Sequence, residues 1–532
     1  MSSDRIGVFV CSWGSGKDPK LDMEALRLKA EGVDGVAFSM LIGRICSESG
    51  QREMVEAIKA SGVDRFVAAA CAPRMKSHLY RTIAASSGLH PLAYEVANIR
   101  EQAAFVHASP EAQAKAETLV RMAVEKARLW TEPPFEEEMP VARDVAVIGG
   151  GLMAMLVAKE LLSQGLVVHL VEVGKDFIDT PIYIFKSHEE REGARLLVDE
   201  ASVNRMLRRY GPSRILDVQG LPGDYGLILQ VGGEMTPLRC GAIVLAPEPR
   251  SELRGLDGSP APSAEGLAQQ GKRRIAILPS GASSGVGCSC ITPRGILYAI
   301  SLKDAVPEIE VSLFGRETRA MGGLEQHQRA AQERGIRFIR IDSEPSVEGR
   351  DPYFISWRDG LVGQMRLEAD KVLLDTVLTP EAKALAQVFE LPLDEKGEIL
   401  GLDSRLNAGE TVRKGVFATR YRVSNMLYED MVVEAGAVAA RASEFIGRGT
   451  IEVGGTVAEV DQEKCSACLS CLRLCPYSAP IIGQAGKAEV RVELCQGCGS
   501  CVALCPSRAI DIYSFSDAQM MAQAKAAIRR ER

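Results

Sequence analysis

The feature that most restricts this chain is a cysteine pattern written twice near its end. Cys465, Cys468, Cys471 and Cys475, followed by Pro476, recur thirty residues later as Cys495, Cys498, Cys501 and Cys505, followed by Pro506. A 532-residue chain with fourteen cysteines could spend them on disulfides, but eight of them fall into these two matched groups. Matched, closely spaced groups are the signature of metal ligation rather than of a disulfide framework.

The spacing C-x2-C-x2-C-x3-C-P is that of bacterial two-cluster ferredoxins. Three thiolates two residues apart can wrap one face of a cubane only if their loop is tight, and the x3-C-P step carries the fourth thiolate toward the other cluster. The expected sets are therefore Cys465, Cys468, Cys471 and Cys505 around one 4Fe-4S cluster, and Cys495, Cys498, Cys501 and Cys475 around the second. Zinc also accepts four cysteines, but the doubled x2-x2-x3 spacing with proline favours clusters. Gly497 and Gly499 fit the same reading, because backbone amides must approach cluster sulfurs closely. The task this fixes is one-electron transfer.

At this length several domains are expected. Residues 1–130 alternate apolar runs (RIGVFVC, RFVAAAC) with helical patterns (LDMEALRLKAE, RMKSHLYRTIAASSG, then Pro110–Leu129), which predicts a small α/β domain. Residues 131–142 read as a linker, since Thr131–Pro140 holds three prolines and four acidic residues without periodicity. Residues 143–450 read as a dinucleotide-binding domain with two nucleotide-type halves, the second restarting at Lys272. Gly454 and Gly455 then hinge into a cluster domain at 451–515, and 516–532 forms a C-terminal helix whose Met520, Met521 and Ile528 are expected to pack on that last domain, with docking of a partner as the alternative.

In the first half, Gly149, Gly150, Gly151 and Ala154 form a G-x-G-x-x-A turn directly after a strand, with Glu172 ending the next strand 23 positions beyond Gly149. Such glycines let a pyrophosphate rest on a helix N-terminus, and the acid accepts from a ribose. An adenine dinucleotide is the expected ligand. Ser280–Gly287 is glycine-rich but lacks that pattern, so a nicotinamide site is not expected there; Cys288 and Cys290 read as two small core thiols. Cys11 and Cys71 end strands of the first domain, where open α/β sheets place ligands, and with Cys46 they form a candidate third metal site. His78, His107 and His327 read as surface or packing residues.

Composition removes other classes. A net charge of −7 and no Lys/Arg-rich run argue against a nucleic-acid partner. The longest apolar run, Val145–Leu162, contains three glycines, Lys159 and Glu160 and is no bilayer span. The N-terminus lacks a secretory pattern, so a cytoplasmic protein without a transmembrane segment is expected.

With these residues in hand, the chain resembles the A subunits of heterodisulfide reductases and their relatives in anaerobic electron-transfer complexes. RIGVFVC, ICSESGQ, AAACAPR, ANIREQAAFVH, LVRMAVEKARL, VIGGG, the RFIRI region and the double cysteine run carry the resemblance over nearly the full length. It implies an oxidoreductase subunit holding FAD in a thioredoxin-reductase-like domain, several 4Fe-4S clusters, and partner subunits in a hetero-oligomer (reductase B- and C-like, hydrogenase-type or dehydrogenase-type). A third 4Fe-4S cluster at Cys11, Cys46 and Cys71 would fall within that pattern. Departures are visible. Trp13 stands in CSWG where the family commonly has C-x-C, GKDFIDTPIYIFKS lacks the usual glycine pair, Val416–Tyr421 replaces an A-G-D-like segment, and no cysteine-rich insertion follows Ile178. The leading expectation is electron transfer between FAD and two clusters. Its alternatives are a flavin-less relay and assembly subunit on a degenerate nucleotide fold, and a self-sufficient NAD(P)H oxidoreductase resembling the small subunit of glutamate synthase.

Overall fold

A computed structural model describes residues 5–13, 20–132, 136–173, 185, 188–247, 250–280, 291–320, 323–378, 380–394, 399–403, 407–419 and 427–528. The chain forms two compact units, one of residues 1–137 with 453–532 and one of residues 138–452.

The first unit begins with a parallel sheet of β1 (Ile6–Cys11), β2 (Val36–Ile42), β3 (Arg65–Ala70) and β4 (Tyr94–Asn98) in the order β2-β1-β3-β4. Alternate residues of β1 feed two cores. Ile6, Val8 and Val10 pack with the helices α1 (Met23–Glu31) and α4 (Glu111–Arg128), while Phe9 and Cys11 pack with α2 (Glu48–Ser61) and α3 (Pro73–Ser86). A strand buried on both faces reads as a continuous apolar run, as β1 does. The helices start where capping chemistry allows: Asp22 accepts from Ala25 N and Ser47 from Gly50 N, and α2 stops at the left-handed Gly62. The strand order reverses between β1 and β3, which makes their carboxyl ends a topological switch point.

The same unit contains the cluster module. Two antiparallel pairs (Ala458–Val460 with Ile510–Ile512, Pro480–Ile482 with Ala488–Val490) and two short helices (Ser470–Leu474, Ser500–Ala503) repeat one design. The C-terminal helix Asp517–Ile528 differs from expectation. It lies on α4 of the first domain, where Arg121 Nε donates to Ala526 O at 3.1 Å and Gln519 Nε2 to Leu129 O at 3.3 Å. Its buried residues are Gln519 and Ala526, while Met520 (49%), Met521 (56%) and Ile528 (80%) face solvent, so these apolar side chains do not pack on the last domain. The segment expected to be an aperiodic linker also contains a strand, β5 (Glu136–Pro140). Three glutamates disguise it, because an edge strand tolerates charge.

The second unit is built from two similar halves. In the first, β6 (Val145–Ile148), α5 (Leu152–Ser163), β7 (Val168–Val171), α6 (His188–Ser202) and β8 (Leu207–Tyr210) form successive parallel crossovers, joined on the other flank by Ala242–Leu245 and Val416–Ala418. In the second, Arg274–Ser280, Glu310–Gly315, Arg337–Arg340 and Lys371–Leu378 are parallel, with Arg250–Gly255 antiparallel at the edge. Each half carries a three-stranded antiparallel meander, at 213–240 and 346–369. This is a mixed α/β architecture with two doubly wound layers.

Candidate functional site

The duplicated cysteine runs share backbone conformation as well as spacing. Ala467 (φ 55°), Leu469 (φ 57°) and Ser478 (φ 51°) of the first run correspond to Gly497 (φ 60°), Gly499 (φ 81°) and Arg508 (φ 49°) of the second. Non-glycine residues take this left-handed region at a cost of about 1–3 kcal/mol each, and such strain persists where surrounding structure enforces it. Both loops are thus bent the same way at the same three steps.

The bends bring four of the thiols around one cavity. Cys475 lines one cavity together with Cys495, Cys498 and Cys501, closed by Tyr477, Pro480 and Val490. Burial pushes the Cys501 thiol up to about 11, and the Cys495, Cys498 and Cys475 thiols add to it. On the other side, burial raises Cys471, helped by Cys468 and Cys465. Burial also acts to raise Cys505, but the Ser507 hydroxyl and the Ala509 amide outweigh it and hold the thiol below its ordinary value. Ala458 N and Ala509 N each lie 3.3 Å from a sulfur, of Cys495 and Cys505 respectively. Backbone donors of this kind stabilise thiolate and cluster sulfur. Four thiols around one apolar cavity, with a backbone amide on the Cys495 sulfur, suit an iron–sulfur cluster. Among the described residues, no three His, Cys, Asp or Glu side chains close around a single metal ion.

A second cysteine site lies at the switch point of the first sheet. Cys11 ends β1, Cys71 follows β3, and Cys46 sits in the β2–α2 loop; together with Trp13, Arg44, Ile45, Leu79, Tyr80 and Arg100 they line a cavity of ≈ 270 Å³. The loop carrying Cys46 is pinned, since Ser47 Oγ donates to Arg44 O at 2.8 Å while accepting from Gly50 N at 3.1 Å. Burial raises the Cys11 thiol, and Cys71 and Cys46 push it further. Cys11, Cys46 and Cys71 thus line one cavity.

The dinucleotide turn is formed by β6 and α5. Gly149 has no room for a side chain, because a Cβ there would lie 2.2 Å from Ala246 O and 3.1 Å from Ala154 Cβ. Gly151 precedes α5 and no side chain caps the helix, so the amides of its first turn, beside Gly150, are left for a ligand. Glu172 follows β7 with its carboxylate 15% exposed and engaged by Arg209 of β8, whose Nε donates at 2.7 Å. No sequence motif points to Arg209; only the register of β7 against β8 sets it beside the acid. Nor does any motif reveal buried His169, which lies between Asp144 (2.9 Å) and the Tyr210 hydroxyl (3.1 Å) and ties three strands together. The expectations for 174–184 and 186–187, for 281–287, for Cys288 and Cys290, and for Arg420 and Tyr421 fall outside the described residues.

In the second half, the helix Pro293–Ala305 starts differently. Thr292 Oγ1 accepts from Gly295 N and donates to Asp375 Oδ2 at 2.6 Å. Asp375 is fully enclosed, and burial pushes its carboxyl from 3.8 up to about 6 against the opposing pull of Thr292 and Arg294. An acid, not an open array of amides, stands at that helix start. Of the other histidines singled out, His78 is exposed while His107 and His327 are half-buried.

The duplicated loops have the spacing and backbone shape of a two-cluster iron–sulfur module, and the doubly wound halves those of a dinucleotide-type fold. Residues 458–506 match the 4Fe-4S dicluster domain family. Over its full length the chain is similar in sequence to A subunits of heterodisulfide reductases. It is 29% identical to the A subunit of the H(2):CoB-CoM heterodisulfide,ferredoxin reductase of Methanothermobacter thermautotrophicus, covering 100% of this chain and 98% of that protein. It is 26% identical to the second of the A-type iron-sulfur subunits of the CoB--CoM heterodisulfide reductase of Methanopyrus kandleri, covering 89% and 90%. Among solved structures, T. acidophilum thioredoxin reductase aligns with 57% of this chain and 98% of its own, at 16% identity and a TM-score of 0.39. Among the described residues no helix is long and apolar enough to cross a membrane.

Proposed function

We propose that this chain is the electron-transfer subunit of a heterodisulfide-reductase-like complex, holding FAD at Gly149–Ala154 and Glu172 and two 4Fe-4S clusters in the C-terminal module. The observation that carries the reading is the cavity in which Cys475, from the first run, meets Cys495, Cys498 and Cys501 from the second. Crossed ligation of this kind interlocks two clusters in one small module, so an electron arriving at either has a neighbour to pass to. Bound FAD would supply exchange between electron pairs and single electrons. Gly149 lets the backbone approach the pyrophosphate, the α5 amides hold it, and Glu172 accepts from the ribose. Cys11, Cys46 and Cys71 are proposed to hold a third cluster, and the acceptors are partner subunits.

A second reading has its own support. The engagement of Glu172 by Arg209 occupies the acid a ribose would need, which favours a flavin-less relay subunit on a nucleotide-binding scaffold. The full-length protein, purified without oxygen, separates the two. One releasable flavin per chain with about eight to twelve irons supports the flavoprotein reading. About eight irons and no flavin overturns it in favour of the relay.

A further inference from the structure

The cavity at the switch point contains a cation whose placement the cysteines alone do not explain. β4 runs directly into a π-helical turn, Arg100–Ala104. Such turns are rare and gather at functional sites because they aim side chains that an α-turn would not. This one is tied down on both sides. Glu101 N donates to Asn98 Oδ1 at 3.0 Å, Glu101 Oε2 accepts from Ala72 N at 2.9 Å, and Lys20 Nζ donates to Ala104 O at 2.9 Å. The tie to Ala72 fixes the turn against the residue next to Cys71.

Arg100 is aimed as a result. Its Nη1 donates to Cys71 Sγ at 3.4 Å, and its guanidinium lies over the rings of Phe105 (5.0 Å) and Trp13 (5.8 Å). Trp13 adopts φ 57°, a conformation costly for an indole residue, and its Nε1 is buried with no hydrogen-bond partner among the described residues. Two N–H groups, one of them charged, thus border a cavity lined by three thiols. A buried donor left unpaired costs about 1–3 kcal/mol, and an anionic, sulfur-rich group in the cavity would satisfy it.

We propose that Arg100 is the positioning residue that sets the reduction potential of the iron–sulfur centre held by Cys11, Cys46 and Cys71, an inference that rests on the third-cluster reading above. Reduction of a cluster held there, by one electron from the proposed flavin or a neighbouring cluster, would make and break no bond. The guanidinium stays protonated in both states, so no proton accompanies the electron. A fixed positive charge hydrogen-bonded to a ligating sulfur favours the more negative, reduced form, which raises the potential.

The test is an electron paramagnetic resonance redox titration of the full-length, anaerobically purified protein, comparing wild type with Arg100→Gln and Arg100→Lys. The Gln variant should shift the reduced-to-oxidised ratio of the third centre about tenfold toward oxidised, equal to about 59 mV for one electron. The Lys variant keeps the charge and should recover part of that shift. The two clusters of the C-terminal module should titrate as in wild type, which controls for folding. A third signal with the same potential in all three proteins overturns the role of Arg100 and leaves the third cluster standing. No third signal in the wild type removes the cluster and the proposal together. Loss of the signal in both variants makes Arg100 an assembly residue and also overturns the proposal.

Discussion

Replacing Gly497 with alanine tests the geometry of the cluster module at one atom. Gly497 sits at φ 60°, and a Cβ there would lie 2.2 Å from Thr456 O, inside the 3.0 Å below which something must move. Two costs follow. Alanine in the left-handed region costs about 1–2 kcal/mol, and forcing a methyl into a backbone contact adds about 1–3 kcal/mol. Ala467, the equivalent residue of the first run at φ 55°, shows that alanine tolerates the conformation itself. The contact is therefore the decisive part. Thr456 leads through Val457 to Ala458, whose N–H reaches Cys495 Sγ at 3.3 Å, so displacing it withdraws a donor from the cluster built on the second run. Under chelator challenge the variant's visible cluster absorbance should decay about a hundredfold faster, following a total near 3 kcal/mol, with half the absorbance affected first. Ala467→Gly should retain its clusters at least as long as wild type. Equal decay of wild type and Gly497→Ala would refute the argument.

The other predictions concern ligation, the nucleotide turn and pH. Cys475→Ala should abolish the paramagnetic signal of the cluster built on Cys495, Cys498 and Cys501; selective loss of the other signal would mean the fourth ligands are not exchanged. Arg209→Ala should free Glu172 and tighten FAD retention by up to about fivefold, since a half-exposed ion pair of this kind competes by at most about 1 kcal/mol; weaker retention would assign Arg209 a direct role in holding the ligand. Asp375, raised from 3.8 to about 6 by burial, adds stability that is full below pH 3.8 and lost as pH rises through about 6. Between pH 5 and pH 7.5 the wild type should therefore lose about 1–2 kcal/mol of stability that Asp375→Asn does not lose, read by denaturant unfolding followed at Trp357. Parallel pH curves for the two proteins would show that Asp375 does not titrate there.

The parts legible in the sequence are those whose chemistry is local. The cysteine runs are readable because cluster ligands within one loop are spaced along the chain, and β6–α5–β7 because strand, glycine turn and helix are contiguous. Arg209 beside Glu172, and Arg100 beside Cys71, depend on which strands lie side by side, and no periodicity encodes that. Gly497 is legible as a glycine the cluster loop needs, but its contact with Thr456 O is a tertiary fact. The C-terminal helix is legible as a helix, whereas its seat on α4 is made by Gln519 and Ala526 rather than by its apolar residues. β5 reads as linker because its three glutamates and Pro140 mask an extended conformation.

In the proposed function, electrons pass between a flavin at the Gly149 turn and the clusters of the C-terminal module of the same chain. Light-driven reduction of the flavin in the anaerobic full-length protein, followed by rapid freezing and paramagnetic resonance, tests it directly. Flavin absorbance should recover as the signals of reduced clusters grow, with the same rate constant. A flavin that stays reduced while both clusters remain oxidised would contradict it.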